Sequence, residues 1–133
     1  MFRGFATINY FADDLTAAEA WYTEVLGTEP YFRRDVDGRP AYVEYRIGDY
    51  QAELGIIDSR YAPHGTSGGA VMNWHVDDLE ATFARLLSLG ATPLQGITPR
   101  GEGFVTAVVA DPFGNAIGVM TNPHYLEVLS RLT

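Results

Sequence analysis

Apolar and polar positions along this chain change period several times, and each change marks an element. "FATINYFA" (Phe5 to Ala12) alternates as a strand does, with Ile8, Tyr10 and Ala12 on one face and Thr7, Asn9 and Phe11 on the other. "DDLTAAEAWYTEVLG" (Asp13 to Gly27) switches to helical spacing; Asp13 or Asp14 is placed to cap its start and Gly27 to end it. Three strands are predicted next, Pro30–Asp35, Ala41–Ile47 and Tyr50–Ile57, with Asp37-Gly38 and Gly48-Asp49 as the hairpin turns between them. A stretch rich in Gly, Ser and Pro, "DSRYAPHGTSGG" (Asp58 to Gly69), reads as a linker.

The pattern then restarts. "VMNWHV" reads as a strand, "DDLEATFARLLSLG" (Asp77 to Gly90) as a helix, and "ATPLQGI", "GFVTAVVA" and "AIGVMT" as three further strands. A shift that lays Asn9 on Asn73 also lays Asp13-Asp14-Leu15 on Asp77-Asp78-Leu79, Ala17 on Ala81, Ala20 on Ala84 and Tyr10 on Trp74. Repetition over half the chain predicts two copies of one βαβββ unit, each too small to close a core alone. The expected organisation is a single α+β domain over 1–133: module one at 5–57, a linker at 58–69, module two at 70–121 and a terminal helix at 123–132. "ITPRGEGF" (Ile97 to Phe104) suits either a mobile loop at a cavity mouth or an ordinary connection.

Composition narrows the class. The chain has 133 residues, 47% of them hydrophobic and 20% charged, as one ordinary soluble domain has. It has no cysteine, which excludes disulfides and thiolate chemistry and permits a reducing compartment. The net charge of −8 argues against a nucleic-acid surface and favours neutral or cationic small molecules as partners. The start "MFRGFATINY" has no secretory apolar core and no run reaches membrane-span length, so a cytoplasmic location without a membrane partner is expected. Phosphate-cradling glycine loops, Gly-x-Ser-x-Gly elbows and His-Glu-x-x-His zinc helices are all missing from the sequence.

Two stretches carry a resemblance. "DDLTAAEAWYTEVLG" and "ADPFGNAIGVM" resemble the vicinal oxygen chelate superfamily, the glyoxalase, bleomycin-resistance and extradiol-dioxygenase group, and the likeness runs from Phe5 to about Asn122. It implies two βαβββ modules whose sheets form a cupped, incomplete barrel, usually in a homodimer. Enzymes of that group commonly hold a divalent metal with four side chains, one near the middle of the first and last strand of each module. Carried over on the DL and DPxGN anchors, those positions are Thr7, Glu53, Val71 and Gly118 here. Glu53 is a competent ligand, Thr7 a weak hydroxyl, and Val71 and Gly118 offer nothing. Three or four His or carboxylate donors are needed, so no metal or other cofactor is expected. Gly118 stands where a metal-binding glutamate would, or simply eases a twisted strand.

Strand alternation then selects the cavity lining. Asn9, Phe11, Gln51, Glu53, Gly55, Asn73 and His75 are expected on the cavity side, with Tyr45 as a further aromatic wall. A few polar groups on an apolar cup suit orientation of a mostly apolar organic ligand. Glu53 and His75 are the acid–base candidates, Glu53 as an unpaired carboxylate. Each also has a structural reading: Glu53 salt-bridged to Arg46 or another arginine, and His75 bonded locally at a strand end. Three functions stay open at this point. One is a metal-independent small-molecule-binding protein of the resistance type, acting in the cup or a dimer groove. The second is a lyase, isomerase or dioxygenase-like enzyme using Glu53 and His75, metal-free or with a rearranged metal site. The third is a non-catalytic structural or regulatory dimer.

Overall fold

The computed structural model describes Met1, Arg3 and residues 5–62 and 71–132. Most of the linker, with His64, lies outside the described residues. Among them the chain forms two compact units, within 1–66 and 67–133. Each is a βαβββ unit carrying one four-stranded mixed sheet, and neither sheet closes into a barrel. The expected α+β architecture of two repeated modules is therefore present.

In the first unit, β1 (Thr7–Ala12) leads into α1 (Leu15–Leu26), followed by β2 (Phe32–Val36), β3 (Arg39–Ile47) and β4 (Ala52–Asp58). The spatial order is β1-β4-β3-β2, with β1 parallel to β4 and the other pairs antiparallel. Asp14 caps α1 by accepting the Ala17 N–H at 3.0 Å, and Gly27 ends it in the left-handed conformation (φ 69°). Leu15, Ala18 and Tyr22 recur on one face of α1 and are buried, as are Tyr10, Ala12, Val43, Tyr45, Leu54 and Ile56 of the sheet. That periodicity makes one side of the sheet the core and leaves its other side for chemistry.

The second unit repeats this order: β5 (Met72–His75), α2 (Leu79–Ser88), β6 (Thr92–Gly101), β7 (Phe104–Ala110) and β8 (Ala116–Thr121), with spatial order β5-β8-β7-β6. Asp78 caps α2 through the Ala81 N–H at 3.0 Å, at the repeat counterpart of Asp14. Leu79, Phe83 and Leu86 bury against Ala107, Val109, Ile117 and Val119. A last helix, α3 (Pro123–Leu132), starts at Asn122, whose Oδ1 accepts the Tyr125 N–H at 3.0 Å.

Several boundaries depart from the sequence reading, β1 beginning at Thr7 rather than Phe5 and β2 at Phe32 rather than Pro30, and three of them lie at turns. Asp37 (φ 53°) and Gly38 (φ 74°) form the expected two-residue hairpin turn, but β3 begins at Arg39, directly after it. β4 begins only at Ala52, because Gln51 has a positive φ of 52° and belongs to the preceding turn. "ITPRGEGF" is mostly strand: β6 runs to Gly101, and Glu102 and Gly103 (φ 54° and 87°) turn tightly into β7. The DPxGN motif is itself a turn device. Buried Asp111 accepts the N–H groups of Phe113 (2.9 Å) and Asn115 (2.7 Å), and its other oxygen accepts the Asn115 amide at 2.7 Å.

Candidate functional site

The open face of the first sheet is a lattice fixed by strand register. One row crosses it as Thr7, Glu53 and Arg46; the next as Asn9, Gly55, Glu44 and Phe32; the third as Phe11, Ile57, Tyr42 and Arg34. Alternation gives these residues one side of the sheet and Tyr10, Val43, Tyr45 and Ile56 the other.

Glu53 is held on both of its oxygens. Thr7 Oγ1 donates to Oε2 at 3.0 Å, and an Arg46 nitrogen stands 3.6 Å from Oε1. The Arg46 guanidinium also lies over the Tyr31 ring, 4.4 Å from its centroid. Of the two readings of Glu53 from sequence, unpaired or salt-bridged, the folded chain supplies an arginine partner.

The middle row centres on Gly55. A Cβ at that position would stand 2.5 Å from both Asn9 Oδ1 and Tyr42 Oη, so the missing side chain is what lets an amide and a phenol converge on the strand. The Tyr42 hydroxyl donates to Glu44 Oε1. Burial, then the nearby negative charge of Glu53, pushes the Glu44 carboxyl above the usual glutamate range, while Arg46 acts the other way. Burial and the Glu53 charge likewise raise the Tyr42 phenol. Neither Tyr42 nor Glu44 stands out in sequence. The signal was available: Ala41, Val43 and Tyr45 alternate as core residues, which hands Tyr42, Glu44 and Arg46 to the opposite face.

The same alternation corrects the expectation for Tyr45. It is 0% exposed and faces α1, where its hydroxyl meets Thr23 Oγ1 at 2.9 Å and donates to the Glu19 carbonyl at 3.0 Å. It cannot wall a ligand site on the open face. Gln51 also lies off the strand: its amide donates to the Gly48 carbonyl at 3.2 Å within the turn. Thr7, Asn9, Phe11 and Glu53 take the face that alternation predicts.

The second unit repeats the motif in part. Asn73 pairs with Gly118 in register, as Asn9 pairs with Gly55, and a Cβ on Gly118 would collide with the Asn73 amide. Gly118 is thus the counterpart of Gly55, and Ala116 stands two residues before it where Glu53 stands in the first unit. His75 follows on the Asn73 side of β5. Its side chain is 8% exposed, stacked on the Tyr125 ring (centroids 4.9 Å apart, 14° between planes), and Nδ1 accepts the Asn122 N–H at 3.1 Å. Among the described residues Nε2 is buried without a hydrogen bond, and the carboxylate of exposed Asp77 stands 3.5 Å away. At that separation the contact is electrostatic only.

A family-type metal does not fit these residues. Thr7, Glu53, Val71 and Gly118 bring one carboxylate and one hydroxyl, and those two are bonded to each other. Among the described residues, no group of three or more His, Cys, Asp or Glu side chains could hold a metal ion. A recess of about 360 Å³ at the start of α1 is lined by Asp13, Asp14, Arg39 and Asp58, and its buried carboxylate, Asp58, is already paired with Arg39 at 2.9 Å.

Known proteins of the same fold agree with this architecture. The chain superposes on lactoylglutathione lyase from Agrobacterium tumefaciens with a TM-score of 0.70 at 23% identity, over 94% of this chain and 98% of that one. A glyoxalase-related enzyme from Fulvimarina pelagi gives 0.72 at 21% identity, over 92% and 90%. TioX from Micromonospora sp. ML1 gives 0.67 at 16%, over 89% and 98%. No curated protein matches the chain. The family model for the Glyoxalase/Bleomycin resistance protein/Dioxygenase superfamily matches residues 4–119. With that match and the doubled βαβββ unit, the chain belongs to the Glyoxalase/Bleomycin resistance protein/Dioxygenase superfamily.

Proposed function

We propose that this protein binds a small, largely apolar organic molecule on the open faces of its sheets, without a metal. The observation that carries this reading is the Gly55 row, where Asn9, Tyr42 and Glu44 gather on a face flanked by Phe11 and Phe32. A small polar constellation among aromatic and aliphatic side chains fixes orientation while apolar contact supplies affinity. Asn9 and Glu53 in the first unit and Asn73 and His75 in the second are the polar groups assigned to that task.

The proposed working form is a cytoplasmic homodimer. Each four-stranded sheet has two edge strands, β1 and β2 in one and β5 and β6 in the other, and edges of this kind require cover. No described helix is long and apolar enough to cross a membrane. Light scattering is expected to give twice 14.6 kDa; a monomer at all concentrations would overturn the dimer.

Binding is tested by thermal shift with a panel of small aromatic amines, alcohols and carboxylates. A ligand at a hundred times its dissociation constant stabilises by about 2.7 kcal/mol. No stabilisation by any compound in the panel would favour a purely structural dimer. His75 Nε2, which makes no hydrogen bond among the described residues, supports a second reading, an enzyme of the lyase or isomerase type using Glu53 and His75. Product formation from a bound compound, lost in His75→Gln, would establish that reading.

A further inference from the structure

Of the charged groups on the first sheet's open face, Glu53 and Arg46 are paired with each other, whereas Glu44 and Arg34 make no ion pair among the described residues. Glu53 has Thr7 and Arg46, and Arg46 in turn has Glu53 and Tyr31. Glu44 receives a hydrogen bond from Tyr42 on Oε1, and among the described residues it makes no ion pair within 4.0 Å. Arg34, on β2 beside Tyr42 in register, makes none with it either. The carboxylate is partly buried, and its cross-strand neighbour Phe32 is 46% exposed. The Phe32 and Tyr42 rings stand 6.2 Å apart at 59° to one another, beside the carboxylate they flank.

We propose that Glu44 is the recognition carboxylate for a primary or secondary ammonium group, with the Phe32 and Tyr42 rings as walls and the Asn9 amide beside it. This rests on the small-molecule reading above and names the chemistry of the ligand. A partly buried carboxylate without a counter-ion is unfavourable, and a cation that brings its own N–H donors removes the cost by filling the open Oε2. Aromatic faces beside it attract the same cation through their quadrupoles. Gly55 lets Asn9 and Tyr42 reach this place, because a side chain there would displace both. An ammonium with N–H bonds is favoured over a quaternary one, because only the former can donate to Oε2.

Benzylammonium is the probe, with benzyl alcohol as its neutral analogue and phenylacetate as its anionic one. Side-chain carboxyl and aromatic NMR signals follow each titration at neutral pH. Saturable shifts of Glu44, Phe32 and Tyr42 by benzylammonium are expected, with the alcohol and the acid at least tenfold weaker. Glu44→Gln keeps an acceptor for Tyr42 and should weaken benzylammonium at least tenfold, whereas Glu80→Gln, an equal charge change on exposed α2, should not. A larger loss in Glu53→Gln than in Glu44→Gln would overturn the assignment, as would equal binding of phenylacetate. If alcohol and ammonium bind the face equally, the ammonium assignment fails and the small-molecule reading stands. If none of the three shifts these signals, the ammonium assignment fails, and the wider panel alone decides the general reading.

Discussion

Asn73 lies across Gly118 so closely that a single added methyl group on the glycine would stand 2.1 Å from the amide oxygen. Asn9 and Gly55 repeat the arrangement at the equivalent place in the first unit. The glycine in each last strand is therefore the partner of an asparagine in each first strand, and the two choices are coupled.

Gly118→Ala should cost about 1–3 kcal/mol, the usual range for forcing a methyl into an occupied space. Removing the amide as well should recover much of it, so Asn73→Ala combined with Gly118→Ala is expected to be less destabilised than the sum of the single changes. Urea denaturation of the four proteins measures the coupling. Strict additivity would show that Asn73 moves aside freely.

These pairs show which parts of the chain were legible in sequence. The repeat exposed both asparagines, both aspartate caps and the element order, because each depends on local spacing. Strand parity was legible for residues inside a strand, as at Thr7, Asn9 and Glu53, although β1 and β4 each begin two residues later than the sequence predicts. It failed at Gln51, where a positive φ moved the residue into a turn. Tyr45 belongs to the core face that Ala41 and Val43 mark by alternation, and its aromatic character alone points to the other face. Glu44 was invisible for a different reason. Its lack of a counter-ion depends on which carboxylate captures Arg46, and that is settled by register across three strands.

The raised Glu44 carboxyl has a signed consequence for stability. An acid whose folded pKa lies above its unfolded one stabilises the fold when protonated, so its contribution is full below the ordinary glutamate range. It is lost as pH rises through the higher, folded value. Glu44→Gln removes this loss. The variant should therefore gain stability relative to the parent as pH rises from about 4 to about 8 in paired urea titrations. A gap that stays constant or shrinks would show that Glu44 is satisfied as an anion.

Added zinc, nickel or manganese should leave the melting temperature unchanged, because the Thr7, Glu53, Val71 and Gly118 set supplies one strong donor. Removing that donor with Glu53→Gln should change stability by no more than about 1 kcal/mol, since the Arg46 pair is half exposed and screened. Differential scanning fluorimetry with and without metal tests both statements. A metal-dependent rise that disappears in Glu53→Gln would mean that further ligands lie elsewhere in the chain.

His75 fastens the terminal helix to the second sheet, and this gives the most local test. Nδ1 accepts the N–H of Asn122 at the start of α3, so the neutral ring carries its proton on Nε2. The ring face is used too, against Tyr125. His75→Phe keeps a ring for stacking and deletes the acceptor, leaving the Asn122 N–H without its partner at a cost of about 1–2 kcal/mol. His75→Ala deletes both contacts. Hydrogen exchange separates them, because local opening is read amide by amide. In His75→Phe the Asn122 amide should exchange faster while the amides of Tyr125–Leu129 keep most of their protection. In His75→Ala protection should fall along the whole of Tyr125–Leu129, with α2 unaffected in both. Unchanged protection of α3 in His75→Ala would show that contacts farther along the helix hold it, and would free His75 for another role.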